Sequence, residues 1–587
     1  MKKNLRKLFL SIFIILVWTF FTLEAFSEPL GVNYDSIKAQ LDKVITKEMK
    51  HSKIPGISIA IIDRDEVWTR NLGYADSKQK TPFSSGLAVP VGEISVLFTN
   101  IAIMQLAEEG KLDLDKPLQT YIPEFSMKSR FPDAPQITVR SILTDHSGLP
   151  TNYFKNYIGL FPPYFIDILN DIKNEYTAFP PNYIFSHSAI GSSLLGIVIE
   201  RVSGESFNDY ITKNILDPLE MDNSSFVYDT TCLNNSGPFY NEGMTFTKNY
   251  YRDIPELGLY TSVNDLSHFI KMILANGKYQ DKTLLQNQTL ENMFHNQSEN
   301  IPLDLNMQNG IGWALNFDPW LSGAGKTITR GSGDLFNNCF LLILPDYQLG
   351  VIVAGNAPGN MLALANETAK LALKVKAKIE IPELKNSAIP PIIKLSPNIL
   401  HNYEGDFITD LGLVTTRVSR NKLIITLGNE SYQLIPRSDN TFTLGSQVFG
   451  QIPAFSNFLG EPRFSIDSIA NRRLLCMHGY GANLIFGEAI ESVPIPDNWQ
   501  ARCGKYQLFM NQTLQKSESI LTTYLGFLIL KINLSNTSYF LIIKPVTENE
   551  AIIQGLGNFA QETVRWTKDE GGNDFFSIAG STFKRVH

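Results

Sequence analysis

A serine and a lysine three residues apart at the start of a helix present a hydroxyl and an amine one turn from each other on one face. The amine can then take the hydroxyl proton as the oxygen attacks a carbonyl carbon. The helix N-terminus adds its dipole and free N–H groups, which favour the oxyanion that forms. The literal tetrad in this chain runs from Ser77 to Lys80, inside the polar loop Asp76-Ser77-Lys78-Gln79-Lys80-Thr81-Pro82, and a four-residue match of this kind arises often by chance. Helical spacing belongs to another stretch: after Glu93, the residues Leu97, Ile101 and Met104 recur one turn apart, and Gly110 supplies a left-handed stop. Glu93 therefore stands at a helix N-terminus with Val96 one turn on. A carboxylate there could attack an acyl group only to give a labile anhydride, and valine can neither accept nor donate a proton. Ser95 is the next step round the helix, faces away, and reads as a packed helix residue.

The elements around this point belong to a large protein. A chain of 587 residues is too long for one ordinary core, and two or three domains are expected. Hydrophobic residues at 43% and charged residues at 19% exclude a largely disordered chain, and a formal charge of -7 argues against a nucleic-acid partner. Lys2, Lys3, Arg6 and Lys7 precede an apolar run from Leu8 to Phe21 and then Ala25-Phe26-Ser27, the pattern of an export signal over residues 1–27. The expected location is periplasmic or secreted, and an uncleaved signal segment is the one route to a membrane. Cys232, Cys339, Cys476 and Cys503 are scattered; export would allow a Cys476 to Cys503 disulfide, and buried free thiols fit equally. Neither His-x-x-x-His nor Cys-x-x-Cys occurs, so no dedicated metal site and no cofactor is expected.

Residues 33–375 mix strands and helices. Ile57-Ser58-Ile59-Ala60-Ile61-Ile62, then Glu66-Val67-Trp68, read as a hairpin about the polar turn Asp63-Arg64-Asp65. Residues 376–397 contain Pro382, Pro390, Pro391 and Pro397 with little periodicity and read as a linker. Beyond it, β-branched and aromatic runs such as Leu423-Ile424-Ile425-Thr426-Leu427 alternate with Asn/Gly/Ser turns. Tyr403-Glu404-Gly405-Asp406-Phe407 and Arg502-Cys503-Gly504-Lys505-Tyr506 share a Gly-x-aromatic core, which suggests a duplicated β module over 398–490 and 495–587, with a single larger barrel as the alternative.

Across residues 33–375 the chain resembles the serine β-lactamase and penicillin-binding-protein family, in its class C β-lactamase, D-aminopeptidase and esterase branch. The resemblance is carried by Ile54-Pro55-Gly56-Ile57-Ser58, by Val91 to Thr99 with Leu106-Ala107-Glu108-Glu109-Gly110-Lys111-Leu112-Asp113-Leu114, and by Ile137 to Pro150, which follows a Leu-Leu-Thr-His-x-Ser-Gly-Leu pattern. Glu256 to Ser262 with Asp265-Leu266, Gly310-Ile311-Gly312-Trp313, and Leu344-Pro345-Asp346 with Gly350-Val351 complete it. The implied fold is an α/β transpeptidase-like domain, an antiparallel sheet flanked by helices with a helical subdomain, followed by C-terminal antiparallel β-barrels.

The resemblance also implies three catalytic motifs, and each is substituted. Glu93 and Val96 stand where the nucleophilic serine and its lysine belong. Between Pro181 and Leu194-Leu195-Gly196, His187-Ser188-Ala189 occupies the place of Tyr-x-Asn. Arg330-Gly331-Ser332 stands for Lys-Thr-Gly or His-x-Gly, with Gly333 offering a second oxyanion-hole N–H and the register open by one residue. Ser332 puts a side chain where substrate passes close to the backbone.

Glu93, Val96, His187, Ala189 and Arg330 together describe a pocket abandoned or repurposed, and no catalytic residue is assigned. If the fold is kept, Glu93, His187 and Arg330 converge and satisfy one another by charge-assisted hydrogen bonds, with Ser188, Ser332 and Gly333 as further pocket candidates. The reading is an inactive relative that binds a peptide, cell-wall fragment or small ester. The alternative is a hydrolase of altered chemistry using Glu93 and His187, or Ser95 or Ser188. His146 reads as a turn histidine. Tyr153, Phe154, Tyr157, Phe161, Tyr164 and Phe165 read as core of a helical subdomain.

Overall fold

Ile57, Ile59 and Ile61 point to one side of their strand and Ala60 and Ile62 to the other, and all five are buried, the mark of a strand covered on both faces. The structure is a computed structural model. It describes residues 32–586 except 160–161, 227–237, 242–243, 247–249, 334–337, 383–388, 429, 446–461, 480–481, 511–512, 535–536 and 558. The export signal expected at 1–27, Cys232 and Phe161 lie outside the described residues.

In chain order the front domain comprises α1 (Lys38–Ser52), β1 (Gly56–Asp63), β2 (Glu66–Asp76), β3 (Thr81–Pro82), α2 (Ser95–Glu108), α3 (Val139–Leu143) and α4 (Ala189–Ser203). These are followed by α5 (Ile254–Leu257), α6 (Val263–Leu274), β4 (Ala314–Leu315), β5 (Ile328–Gly333), β6 (Asn338–Leu344), β7 (Leu349–Gly355) and α7 (Met361–Lys376). The sheet runs β4-β5-β6-β7-β1-β2-β3, and β1 is antiparallel to both neighbours, with Ile59 opposite Val353 and Arg70. The expected hairpin is present: Asp63 pairs with Glu66 and Arg64 takes φ 54 in the turn. Leu41 and Ile45 of α1 with Leu364, Ala365 and Leu373 of α7 pack on one face; Leu97, Ile101, Leu194, Val198, Leu266 and Ile270 pack on the other. Each such leucine, isoleucine or valine contributes about 1.5–3 kcal/mol through burial.

Caps fix where the helices begin. The Ser188 hydroxyl accepts from Gly191 N at 3.1 Å at the start of α4, and Gly204, at φ 76, closes its other end. Gly110, at φ 70, follows α2 as the spacing predicts. Gly148 is needed for close approach: a Cβ there would lie 2.0 Å from the Phe179 carbonyl oxygen.

Residues 405–490 and 504–586 form two closed eight-stranded antiparallel barrels, so the duplicated arrangement holds and the single larger barrel does not. The two Gly-x-aromatic cores open the first strand of each, and Phe407 and Tyr506 are the fully buried aromatics of those strands. Each barrel closes first strand on last, Phe407 opposite Ala489 and Lys505 opposite Val586. Of the two readings open for Cys476 and Cys503, a disulfide or free thiols, the structure has the second, and both are free. Cys476 is buried in a cluster where Phe179 and Ile184 of the front domain meet Leu474 and Ala560, whereas Cys503 packs against the core of the second barrel. Of the aromatics between 153 and 165, Phe165 is core, Phe154 packs into the second barrel, and Tyr164 is exposed with its hydroxyl on Glu200 at 2.5 Å.

The barrels dock by charge as well as packing. Arg565 donates to Glu175 at 2.6 Å and Arg130 to Thr563 at 2.5 Å. Glu562 is buried in this joint, accepting from Thr151 N at 3.3 Å. Burial pushes its carboxyl up from the ordinary 4.5 to about 8, against the pull of that N–H. The folded chain thus holds a proton that the unfolded chain loses, so the contribution is full below about pH 4.5 and is lost as pH rises through about 8. Glu562→Gln should match the parent near pH 4.5 and exceed it in stability near pH 8.5, by on the order of a few kcal/mol, in urea denaturation run across that range.

Candidate functional site

Four elements bring the motif positions together. Glu93 lies on a single 3-10 turn, Gly92–Ile94, that leads into α2. Its neighbours are spent on structure. Ser95 Oγ donates to the Gly92 carbonyl at 2.6 Å and accepts from Leu259 N at 3.0 Å, and Val96 is buried in the helix. His187 immediately precedes the Ser188 cap of α4, and Ala189 is that helix's first residue, buried, with its N–H on the Thr151 carbonyl at 2.9 Å. Arg330 comes from β5, where it pairs with Leu341 of β6.

Two residues that the sequence reading passed over complete the site. His187 Nδ1 lies 2.9 Å from Asp145 Oδ1, and Nε2 lies 2.7 Å from Glu256 Oε1. An imidazole can donate from both nitrogens only when it carries both protons, so this is an imidazolium held between two carboxylates. Burial opposes that charge, but the fields of Glu256 and Asp145 and the hydrogen bonds to both outweigh it and raise the His187 pKa well above 6.5. Burial also works against ionisation of the partners, and His187 overcomes it, so Asp145 and Glu256 are both held below the usual carboxylate range. Asp145 sits at φ 59, a left-handed turn that aspartate tolerates, and its carbonyl accepts from Ser186 N at 2.7 Å. Glu256 is on α5, itself tied to α2 by the Thr99 hydroxyl on the Pro255 carbonyl at 2.7 Å.

The expected mutual trio of Glu93, His187 and Arg330 is therefore corrected. The three do converge, but His187 spends its hydrogen bonds on Asp145 and Glu256. Arg330 Nη2 approaches Glu93 Oε2 only to 4.0 Å, beyond hydrogen-bond length, with the Glu93 side chain 41% exposed. Desolvation by the surrounding walls raises the Glu93 carboxyl above its ordinary range, against the pull of Arg330 and His187. Ser188 is also corrected as a pocket residue: besides capping α4, its hydroxyl donates to the Pro150 carbonyl at 2.6 Å, and the side chain is buried. Ser332 packs beside Gly92 with a buried Oγ that has no partner among the described residues, and Gly333 ends β5 opposite Asn338. His146 turns away to Asp304 at 2.8 Å, a buried structural pair as its place in a turn implies.

A cleft of about 210 Å³ opens at this point, walled by Glu93, Asp145, Phe185, Trp313, Arg330 and Phe340. Ligand atoms of Glu93, His187 and Glu256 lie within 4.8 Å of one another, a spacing that could hold a cation. One signal for Asp145 was present in the sequence. In the Leu-Leu-Thr-His-x-Ser-Gly-Leu pattern, Asp145 takes the place of the histidine. Glu256 gave no such signal, because nothing in a short apolar helix announces which acid is buried.

The fold defines a protein of the β-lactamase and transpeptidase type. Residues 41–374 match the family model described as Beta-lactamase, and the chain belongs to that family. It is 27% identical over 325 residues to Protein flp of Staphylococcus aureus (strain N315), covering 54% of this chain and 62% of that protein. It is 27% identical over 216 residues to Beta-lactamase-like protein 2 of Dictyostelium discoideum, covering 35% of this chain and 39% of that one. The chain thus spans less than two thirds of the length of these curated relatives. Among solved structures, the octameric penicillin-binding protein homologue from Pyrococcus abyssi superposes with a TM-score of 0.50 at 22% identity, covering 77% of this chain and 99% of that one.

The two cations of the site should differ in weight. His187→Ala leaves Glu256 buried without its counter-charge and is expected to cost about 3–5 kcal/mol. Arg330→Ala removes a long pair to a half-exposed carboxylate and should cost under about 1 kcal/mol. Guanidinium denaturation of both variants checks the order, and equal losses would contradict the geometry.

Proposed function

We propose that this β-lactamase-family protein has lost serine acyl transfer and keeps its cleft to bind a small ligand. The observation that carries this is the start of α2, where a carboxylate occupies the nucleophile position and Val96, buried and apolar, occupies that of the base. The nearby hydroxyls of Ser95 and Ser188 are committed to backbone partners, which leaves neither poised for attack. His187 is bonded to Asp145 and Glu256 rather than to Glu93, which disfavours hydrolysis by a Glu93/His187 acid–base pair.

The cleft presents charges of both signs, Glu93 and Arg330, beside the aromatic faces of Phe185, Trp313 and Phe340. Among the described residues Arg330 Nε is buried without a partner, a donor suited to a ligand carboxylate. A peptide or cell-wall-type fragment carrying an amine and a carboxylate fits these features, and a small ester fits them less well. The basic and apolar N-terminal segment supports action outside the cytoplasm.

Incubation with fluorescent penicillin or a fluorophosphonate, under conditions that label an active relative, should give no covalent adduct by intact-protein mass spectrometry. A stoichiometric adduct on any serine would sink the proposal. Glu93→Ser with Val96→Lys should regain slow acylation, at most a small fraction of an active relative's rate, because the position of Tyr-x-Asn remains substituted.

A further inference from the structure

His187 is held as a metal-bound histidine is held. A carboxylate fixes Nδ1, Asp145 at 2.9 Å, and Nε2 is turned towards the oxygens of other acids. The nearest, Glu256, is 1% exposed, and among the described residues its Oε2 makes no well-formed hydrogen bond, with only the Ser192 hydroxyl near the carboxylate besides His187. A buried carboxylate oxygen so weakly partnered is costly, and a cation would satisfy it. The third group, Glu93, is anchored on a different element and brings its carboxylate within 4.8 Å of both.

We infer that Glu93, His187 and Glu256 form a three-ligand site for a divalent cation of the zinc type, with Asp145 orienting the imidazole and the fourth position open to the cleft. Charge supports this. The ion would take the place of the Nε2 proton, which is released to solvent; with His187 then neutral, Glu93, Asp145 and Glu256 outweigh Arg330 by two negative charges, and one divalent ion balances them. Geometry supports it as well. Tetrahedral coordination at about 2.0–2.2 Å sets donor atoms roughly 3.4 Å apart, so the site forms if Glu93 closes by about an ångström and His187 and Glu256 part by less. Glu93 has freedom to move, being half-exposed on the cleft wall. One imidazole with two carboxylates and no thiolate suits zinc and its neighbours over copper(I), and the imidazole disfavours calcium and magnesium. Three protein ligands with an open position is the arrangement that lets a metal hold water or polarise a ligand carbonyl. The site accounts for the carboxylate at 93 and the imidazole at 187 together, and it stands whether or not the loss of acyl transfer does.

Metal-free full-length protein, prepared by chelator dialysis, should bind one equivalent of Zn²⁺ by isothermal titration calorimetry. With Co²⁺ it should give the visible absorption of a four- or five-coordinate ion, and a tenfold excess of Ca²⁺ should not displace it. Glu93→Gln, at a half-exposed position where folding is not at stake, should weaken Zn²⁺ binding by at least about 100-fold, and Asp145→Asn, outside the ligand set, by about 10–100-fold. Circular dichroism confirms that each variant is folded. The inference is overturned by the absence of stoichiometric Zn²⁺ binding, or by one-equivalent binding that Glu93→Gln leaves unchanged.

Discussion

The charged clamp on His187 is the constraint around which the front domain is arranged. Asp145 follows α3, His187 leads into α4, and Glu256 lies on α5, so one imidazolium joins three segments far apart in sequence. In a buried setting such a group is costly unless paired on every side, and here both ring nitrogens are paired. The Thr99 bond to Pro255 extends the tie to α2, and so to the turn that carries Glu93. The position of the residue in the nucleophile's place is thus set partly by an ion pair that it does not join.

The site shows how far a fold and its chemistry can separate. The sheet, the helix that starts behind residue 93 and the glycine that lets the Gly148 loop pass under Phe179 all keep the family's frame. What stands in that frame is a set of carboxylates and cations rather than a hydroxyl and an amine. A helix N-terminus favours any negative charge placed there, so it can seat the Glu93 carboxylate as readily as a transient oxyanion. The same backbone serves a resident carboxyl group instead of a developing oxyanion.

The sequence made the architecture legible wherever a pattern had a single physical solution. Alternating isoleucines bounded by Asp63-Arg64-Asp65 could be little other than a covered hairpin, and two Gly-x-aromatic openings foretold two barrels. The altered catalytic positions could be read off one by one because motifs are local. Their hydrogen-bond partners could not, since Asp145 and Glu256 reach His187 across 42 and 69 residues. Pairing Glu93 with His187 and Arg330 followed from assuming that neighbours in space satisfy each other, and two buried acids with better geometry won instead. The free thiols have a similar origin: Cys476 and Cys503 belong to different cores, a separation that residue counts do not reveal.

The joint between the front domain and the barrels bears on how the chain can be divided. Phe179 and Ile184 are buried against Leu474, Cys476 and Ala560, Phe154 is inserted beside the core of the second barrel, and Phe185 next to them walls the cleft. A chain ending after α7 would bare this apolar strip to water and leave the cleft wall without support behind it. The barrels thus bury front-domain side chains that the family-matched portion alone would leave exposed.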